Sequence, residues 1–171
     1  IKENASEALL FNISGVLYKE IGNRDKALNS FENALLIDPN YAEANYNLGL
    51  TFDELNEINS AINHYEKAIL IKPQYPDALN NLGNLYRDLS QLDQAVVSYE
   101  KAVAVNPNYA DPQNNLGIAQ LELNQLDMAI KSFQKALTLN PDFPEAYNNL
   151  GNAHRELSEF DQSVKSYKKA L

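Results

Sequence analysis

Residues 80–86, Asn-Asn-Leu-Gly-Asn-Leu-Tyr, return with small changes every 34 residues along the chain, as the step from Gly15 to Gly49 shows. The glycine of this stretch is kept in all five copies. The repeated residues are the glycines Gly15, Gly49, Gly83, Gly117 and Gly151, the prolines Pro39, Pro73, Pro107 and Pro141, the alanines Ala27, Ala61, Ala95 and Ala129, and the aromatics Phe31, Tyr65, Tyr99, Phe133 and Tyr167. A fixed period of this length is the signature of a repeat protein.

Each repeat has the pattern of a helical hairpin. With the glycine numbered position 8, the repeats span residues 8–41, 42–75, 76–109, 110–143 and, incompletely, 144–171. Apolar or small residues at positions 4, 7, 8 and 11 lie on one face of a first helix, and positions 20, 24 and 27 lie on one face of a second. We expect the glycine to allow a close helix–helix approach, because it otherwise costs about 1 kcal/mol against alanine in mid-helix.

The ends of the second helices are also predicted from the sequence. The residue before each repeated proline is disfavoured in the α region, so the second helix should end there. Its N-cap is predicted at Asp25, Asn59, Asp93, Asp127 and Asp161, which are residue types that cap helices well. One hairpin cannot bury its apolar face alone, but stacked hairpins can. We therefore predict an all-α fold, an α-solenoid forming a single domain over residues 1–171, in which residues 1–7 are a remnant of a preceding repeat.

Composition and charge exclude several classes of function. The 171 residues are 44% hydrophobic and carry a net charge of −9 with no cysteine. Anionic phosphate backbones and membrane surfaces attract basic patches, so we expect neither nucleic acid nor membrane as a partner. No apolar run reaches the roughly 18 residues of a membrane span, and no signal peptide is evident. We expect a cytoplasmic protein and, since the chain begins at Ile1 and stops inside a repeat, a piece of a longer one.

The repeated residues resemble those of the tetratricopeptide repeat family over essentially the whole chain. The third repeat matches the family pattern closely, with a large residue at position 4, Leu-Gly at 7–8, Tyr at 11, Ala at 20, an aromatic at 24, Ala at 27 and Pro at 32. The departures are Ser14 at position 7, Gln120 and His154 at position 11, and Ser163 at position 20. The resemblance implies a right-handed superhelix whose first helices line a concave groove, and a role in protein–protein interaction.

An asparagine returns at position 6 of the first helix in four repeats. The four residues are Asn47, Asn81, Asn115 and Asn149, and asparagines also occur at position 9 as Asn84 and Asn152. A side-chain amide can donate to a peptide carbonyl and accept from a peptide N–H. A column of amides would thus hold an extended polypeptide, and the column resembles that of the tetratricopeptide arm of O-GlcNAc transferase. The alternative is that these asparagines are copied by duplication or bond to the neighbouring hairpin.

Acidic residues flank the asparagines on the same face. Acids in the first helical turn are favoured by the helix dipole in any case. Position 13, near the C-terminal end of the helix, carries Glu54, Asp88, Glu122 and Glu156, where carboxylates are mildly unfavourable. If these acids face a ligand, that ligand is neutral or basic. Position 5 offers no lysine, reading Asn12, Tyr46, Asn80, Asn114 and Asn148, so the lysine clamp with which chaperone-binding members hold acidic tails is not expected.

The first repeat differs in having an apolar stripe at Leu9, Ile13 and Val16. The stripe is either a hydrophobic end of the groove or a surface covered by an upstream segment or by a second copy of the chain. Exposed apolar patches usually mark contacts, which favours coverage. Self-association could therefore use the first repeat or the uncapped C-terminal end.

Three functions remain after this reasoning. No glycine cluster could hold a phosphate, and His64 and His154 have no histidine partner, so we expect no cofactor, no metal site and no enzyme activity in this segment. The leading hypothesis is a scaffold that binds protein or peptide in its groove. The alternatives are a substrate-recruiting arm of a larger glycosyltransferase or sulfotransferase, supported by fold analogy alone, and a self-assembly module.

Overall fold

The computed structural model describes the backbone of residues 2–171 and the side chains of residues 6–171. This part of the chain contains ten α-helices and no strand. They are α1 Lys2–Glu20, α2 Arg24–Ile37, α3 Ala42–Glu54, α4 Ile58–Ile71, α5 Pro76–Asp88, α6 Leu92–Val105, α7 Ala110–Glu122, α8 Leu126–Leu139, α9 Pro144–Glu156 and α10 Phe160–Lys169. Each predicted repeat supplies one hairpin, so the all-α repeat fold is confirmed. The chain divides into two compact units, an N-terminal unit up to Ala78 and a C-terminal unit from Leu79 to Leu171.

In the N-terminal unit, helices α1 to α4 pack in chain order, and α1 also contacts α3. Its core contains Ala27, Phe31 and Leu48, all at most 1% exposed. Residues 2–7, which the sequence assigns to a remnant of a preceding repeat, lie in the first turns of α1; Ile1 falls outside the described residues. These residues therefore lengthen the first helix of the first repeat.

In the C-terminal unit, α6 to α10 likewise pack in chain order, and α7 also contacts α9. The cores contain the repeated alanine and aromatic residues, such as Ala95 with Tyr99 and Ala129 with Phe133, which are all fully buried. Leu116 and Leu150, the position-7 residues of their repeats, complete the two clusters. Positions 7, 20 and 24 thus form the core, as their spacing predicts.

The repeated glycine is needed for contact with the aromatic residue at position 24. A Cβ added to Gly83 would lie 2.6 Å from a ring carbon of Tyr99, and one added to Gly117 would lie 2.6 Å from a ring carbon of Phe133. The other three repeats show the same approach, at 2.4–2.6 Å. These distances are well below the 3.5–4.0 Å at which carbon atoms pack best. The predicted close approach of the two helices is confirmed, and the ring at position 24 is the group that requires it.

Every first helix ends in the same turn. The residue at position 15 has a positive φ, and it is Gly22 in the first repeat and Asn56, Ser90, Asn124 and Ser158 in the others. In the third repeat the N–H of Ser90 donates to the carbonyl of Arg87, and the N–H of Gln91 donates to the carbonyl of Tyr86. This pair of bonds is the Schellman motif, which satisfies the last carbonyls of a helix.

The N-caps of the second helices were predicted wrongly. These helices begin two residues earlier than expected, so Asp25 and its equivalents occupy the second helical position. The cap residues are Asn23, Glu57, Gln91, Gln125 and Glu159, of which Asn23 alone caps by its side chain, accepting from the N–H of Lys26 at 3.2 Å. The physical reason is the Schellman turn, whose last residue is already the cap of the next helix. The displaced aspartates keep a favourable interaction with the helix dipole.

Polar residues that depart from the family pattern have buried hydrogen-bond partners. Gln120 accepts a 2.7 Å hydrogen bond from the hydroxyl of Ser132. The hydroxyl of Ser163 donates to the backbone carbonyl of Gly151 at 2.8 Å. A buried polar group without a partner costs free energy, so these pairs explain how the fourth and fifth repeats tolerate the changes.

Candidate functional site

Asparagines line one face of the first helices, at positions 5, 6 and 9. The position-6 residues lie on four successive first helices: Asn47 on α3, Asn81 on α5, Asn115 on α7 and Asn149 on α9. All four side chains are half-buried. This register places each amide at the edge between core and solvent.

Three of these amides bond to the preceding repeat. In the N-terminal unit, Asn47 Nδ2 donates to Asn12 Oδ1 at 2.9 Å. In the C-terminal unit, Asn115 Nδ2 donates to Asn80 Oδ1 at 3.0 Å, and Asn149 Nδ2 donates to Asn114 Oδ1 at 3.2 Å. The position-5 acceptors are more buried than the donors, with Asn114 only 1% exposed. Each of these three asparagines at position 6 is thereby held by an asparagine at position 5 of the preceding repeat. This is the bond to a neighbouring hairpin that the sequence analysis gives as an alternative to ligand binding.

The inter-repeat bonds leave part of each amide available. An asparagine side chain has two N–H donors and a carbonyl oxygen with two lone pairs. The Oδ1 atoms of Asn47, Asn115 and Asn149 accept no hydrogen bond from a residue that the structure describes. Because one N–H is already engaged, the side chain is oriented before any ligand arrives.

The asparagines at position 9 are tied to the aromatic residue of their own repeat. The hydroxyl of Tyr99 donates to Asn84 Oδ1, and the hydroxyl of Tyr167 donates to Asn152 Oδ1, both at 2.8 Å. Asn84 also accepts a bond of 3.2 Å from Asn115 Nδ2. Asn84 and Asn115 are thus brought together, and the position-9 amides contribute to packing.

The four acids at position 13 differ in their surroundings. Glu54 forms ion pairs with two basic residues of the first repeat, Lys19 at 2.9 Å and Arg24 at 3.4 Å. All four acids are exposed, but Asp88 and Glu156 each lie beside only the arginine that precedes them in sequence, and Glu122 forms no ion pair with a described residue. Glu54 therefore ties the first two repeats together, while the three acids of the C-terminal unit face solvent.

The second repeat has an aromatic cluster that the sequence reasoning missed. The ring centroids of Tyr46 and Tyr75 lie 4.8 Å apart, and Lys72 Nζ lies 4.4 Å from the centroid of the Tyr75 ring. The same ammonium is 3.0 Å from Glu43 Oε1. Burial is the largest influence on the Glu43 carboxyl and would raise its pKa. The hydrogen bond from Lys72, a backbone hydrogen bond and the Lys72 charge together outweigh burial, so the pKa of Glu43 is lowered. Burial raises the pKa of the Tyr75 hydroxyl.

The asparagine pairs had a signal in the sequence. Their members are 35 residues apart, one more than the period, so an alignment of the repeats at equal positions does not reveal them. Asking which neighbouring positions hold asparagine in consecutive repeats would have found them. A similar comparison links position 9 to position 24. Three repeats have tyrosine at position 24, and two of them have asparagine at position 9; both repeats with phenylalanine at position 24 have an apolar residue at position 9.

The described helices include none with the length and apolar character needed to cross a membrane. Among the side chains of residues 6–171, no group of three histidine, cysteine, aspartate or glutamate residues could hold a metal ion.

Family comparisons agree with the geometry. A family model described as TPR repeat matches residues 15–55, 52–86, 83–123 and 119–157, and one described as tetratricopeptide repeat matches residues 144–171. The chain belongs to the tetratricopeptide repeat family, whose members are generally scaffolds for protein–protein interaction. The comparison with curated proteins gave no match.

Solved structures with a similar fold cover nearly the whole chain. A crystal structure of MamA is 29% identical, with a TM-score of 0.86 over 92% of each chain. PilF of Pseudomonas aeruginosa is 23% identical, with a TM-score of 0.87 over 98% of this chain and 77% of its own. YrrB, described as a TPR protein with an unusual peptide-binding site, is 23% identical, with a TM-score of 0.83 over 99% of this chain and 88% of its own.

Proposed function

We propose that this chain is a binding scaffold that holds an extended polypeptide against its first helices through the amides at position 6. The observation that carries the proposal is the set of inter-repeat bonds from Asn47, Asn115 and Asn149. Each bond fixes an amide and leaves its carbonyl oxygen for the N–H of a ligand. Fixing the side chains in advance reduces the entropy that binding must otherwise overcome.

The expected affinity is modest. A hydrogen bond contributes a net ~0.5–1.5 kcal/mol, so four position-6 amides supply about 2–6 kcal/mol before the ligand is ordered. Such contacts engage the backbone of the ligand and leave its side chains largely unread. The exposed acids Asp88, Glu122 and Glu156 favour a neutral or basic ligand over an acidic one.

The test compares two sets of four substitutions. The ligand is a fluorescein-labelled 12-residue peptide of alternating alanine and threonine, and its binding is followed by fluorescence anisotropy. Alanine at the four position-6 asparagines, Asn47, Asn81, Asn115 and Asn149, should abolish binding. Alanine at four exposed lysines of the second helices, Lys67, Lys101, Lys135 and Lys165, should leave it unchanged. Equal affinity of the asparagine variant and the wild type would contradict the proposal.

Folding must be verified in that test, since the asparagines also join repeats. Circular dichroism at 222 nm shows whether each variant is folded at the temperature of the assay. If the fourfold variant is unfolded, the single change Asn47→Ala replaces it. A lost contact of ~0.5–1.5 kcal/mol weakens binding about two- to twelvefold.

A second candidate function, self-association through the first repeat, is favoured by exposure. Leu10 and Leu17 of α1 are 67% and 57% exposed, whereas the residues at their positions in the four later repeats are buried. Leu10 and Leu17 are seven residues apart and so lie on the same side of α1, and exposed apolar surface of this kind is typical of a contact surface. Sedimentation equilibrium should show concentration-dependent association that the double change Leu10→Glu/Leu17→Glu removes. A monomer at millimolar concentration would argue against this function.

A further inference from the structure

The second repeat departs from the chain's own pattern at two positions. Position 5 is asparagine in the other four repeats and tyrosine, Tyr46, in this one. Position 31 is Asp38, Asn106 or Asn140 in the other three repeats that reach it, and Lys72 here. Those three side chains accept a hydrogen bond from the backbone N–H two residues later, at 3.0–3.2 Å. A lysine cannot accept such a bond, so this local hydrogen bond is lost at Lys72 and its side chain makes other contacts.

The two departures are joined by Tyr75, whose ring contacts both. The Lys72 ammonium lies 4.4 Å from the centroid of the Tyr75 ring, which is 4.8 Å from the ring of Tyr46. The opposite charge is supplied by Glu43, 3.0 Å from the ammonium. The Glu43 carboxylate and the Tyr75 ring, which packs against Tyr46, therefore form a cation site, and the chain's own lysine occupies it.

The Lys72 side chain is about half exposed in this site, so weak contacts hold it there. Its side chain is 46% exposed and that of Glu43 is 44% exposed. Ion pairs and cation–π contacts between exposed groups are individually weak. An arginine side chain suits the same site better, because its planar guanidinium stacks on aromatic rings and can donate two N–H groups to one carboxylate.

We propose that Glu43, Tyr46 and Tyr75 form a receptor site for an arginine side chain of the bound polypeptide, which displaces Lys72. This inference rests on the proposed function, because the arginine reaches the site as part of a polypeptide bound along the first helices. The amides at position 6 engage the backbone of the ligand, and this site fixes its register. Glu43 and Tyr46 lie on α3, the helix that carries Asn47.

The test uses a single capped amino acid, so it does not depend on the amides. The protein is titrated with Nα-acetyl-arginine amide and with its citrulline analogue, which has the same shape and no charge, and binding is followed by NMR. We expect the arginine compound to bind about three- to tenfold more tightly, from one ion pair and one cation–π contact. The change Lys72→Met should raise the affinity for arginine severalfold and leave that for citrulline unchanged.

One control and two site variants isolate the site. Lys67→Met removes the same charge from an exposed position of α4 and should leave both affinities unchanged. Tyr46→Asn, which restores the residue of the other repeats, should reduce the preference for arginine, because it removes the ring that packs against Tyr75. Glu43→Gln should reduce it while keeping the shape of the side chain.

Equal affinity for the two compounds, in both the wild type and Lys72→Met, would overturn the inference. So would an undiminished preference for arginine in both Tyr46→Asn and Glu43→Gln. The outcome is separate from that of the alanine–threonine peptide, which contains no arginine. Binding of the arginine compound without binding of that peptide would refute the amide contacts and retain the cation site.

Discussion

The bond between Asn114 and Asn149 allows a stability prediction that is independent of any ligand. Changing Asn149 to alanine removes the donor that lies 3.2 Å from Asn114 Oδ1. Asn114 is 1% exposed, so water cannot readily replace the lost donor. An unsatisfied buried acceptor costs about 1–3 kcal/mol. Alanine recovers roughly 0.5 kcal/mol as the better helix former, which leaves a net loss of about 0.5–2.5 kcal/mol in the free energy of unfolding.

The adjacent residue provides a matched control. Asn148 lies on the same helix, is exposed, and makes no hydrogen bond through its side chain with a described residue. Asn148→Ala should therefore be neutral or stabilising by a few tenths of a kcal/mol. Urea denaturation followed by circular dichroism and by tyrosine fluorescence gives both values, and coincidence of the two signals tests for two-state unfolding. For a chain of this size, a loss of 0.5–2.5 kcal/mol lowers Tm by about 1–10 °C.

A double-mutant cycle identifies the cause of the loss. If the inter-repeat bond is responsible, Asn149→Ala should cost little once Asn114 is alanine, with a coupling of at least about 0.5 kcal/mol. The structural role of these bonds would be refuted if Asn149→Ala and Asn148→Ala changed the free energy of unfolding equally within ~0.3 kcal/mol and Asn149→Ala showed no coupling to Asn114.

Three further predictions test other parts of the structure. Gly117→Ala should destabilise by up to about 2 kcal/mol, because overpacking costs ~1–3 kcal/mol against a helix gain of ~1. The change should become neutral or stabilising once Phe133 is changed to leucine; stabilisation in both backgrounds would be contrary to this reasoning. Ser90→Gly should stabilise by about 1 kcal/mol, since a left-handed residue with a side chain carries a cost of ~1–2 kcal/mol. Gly22→Ala should destabilise by a similar amount, and urea denaturation measures both changes. Burial, reinforced by the charge of Lys67, lowers the pKa of His64 to about 4. The imidazole is therefore protonated at higher pH in the unfolded chain than in the folded one, and the free energy of unfolding should fall as pH drops from 6.5 to 4. His64→Gln should flatten that part of the stability–pH profile, and an unchanged profile would count against the lowered pKa.

The repeat period was enough to predict the hairpins, because the residues that define it are those that pack. Gly83 and Tyr99 illustrate this: their spacing within the repeat placed them on facing helices, and the structure brings the ring against the glycine. The N-caps were missed because the Schellman turn at Ser90 leaves a single residue between the positive-φ residue and the next helix. The Schellman turn needs a residue with a positive φ. Glycine signals such a position in a sequence, but serine does not.

The polar side chains could be placed on a face but not paired. Asn115 was predicted on the ligand-facing side of the first helix, yet its partner Asn80 occupies a different position of the preceding repeat. Which side chains bond across two repeats depends on how far one hairpin is displaced relative to the next. The sequence pattern of a single repeat does not give this displacement. The same holds for Glu54, whose ion pairs with Lys19 and Arg24 join two repeats.

The most direct test of the central claim is to observe the amides themselves during binding. In a ¹⁵N-labelled sample, the side-chain NH₂ groups of Asn47, Asn115 and Asn149 give their own NMR signals, which are followed as the unlabelled alanine–threonine peptide is added. A contact energy of about 2–6 kcal/mol corresponds to saturation between tens of micromolar and tens of millimolar peptide. The account predicts that these three signals shift together along one saturable curve, while that of the exposed Asn63 on α4 stays in place. If peptide binding saturates and shifts the NMR signals of other residues while these three side-chain signals do not move, the account is contradicted.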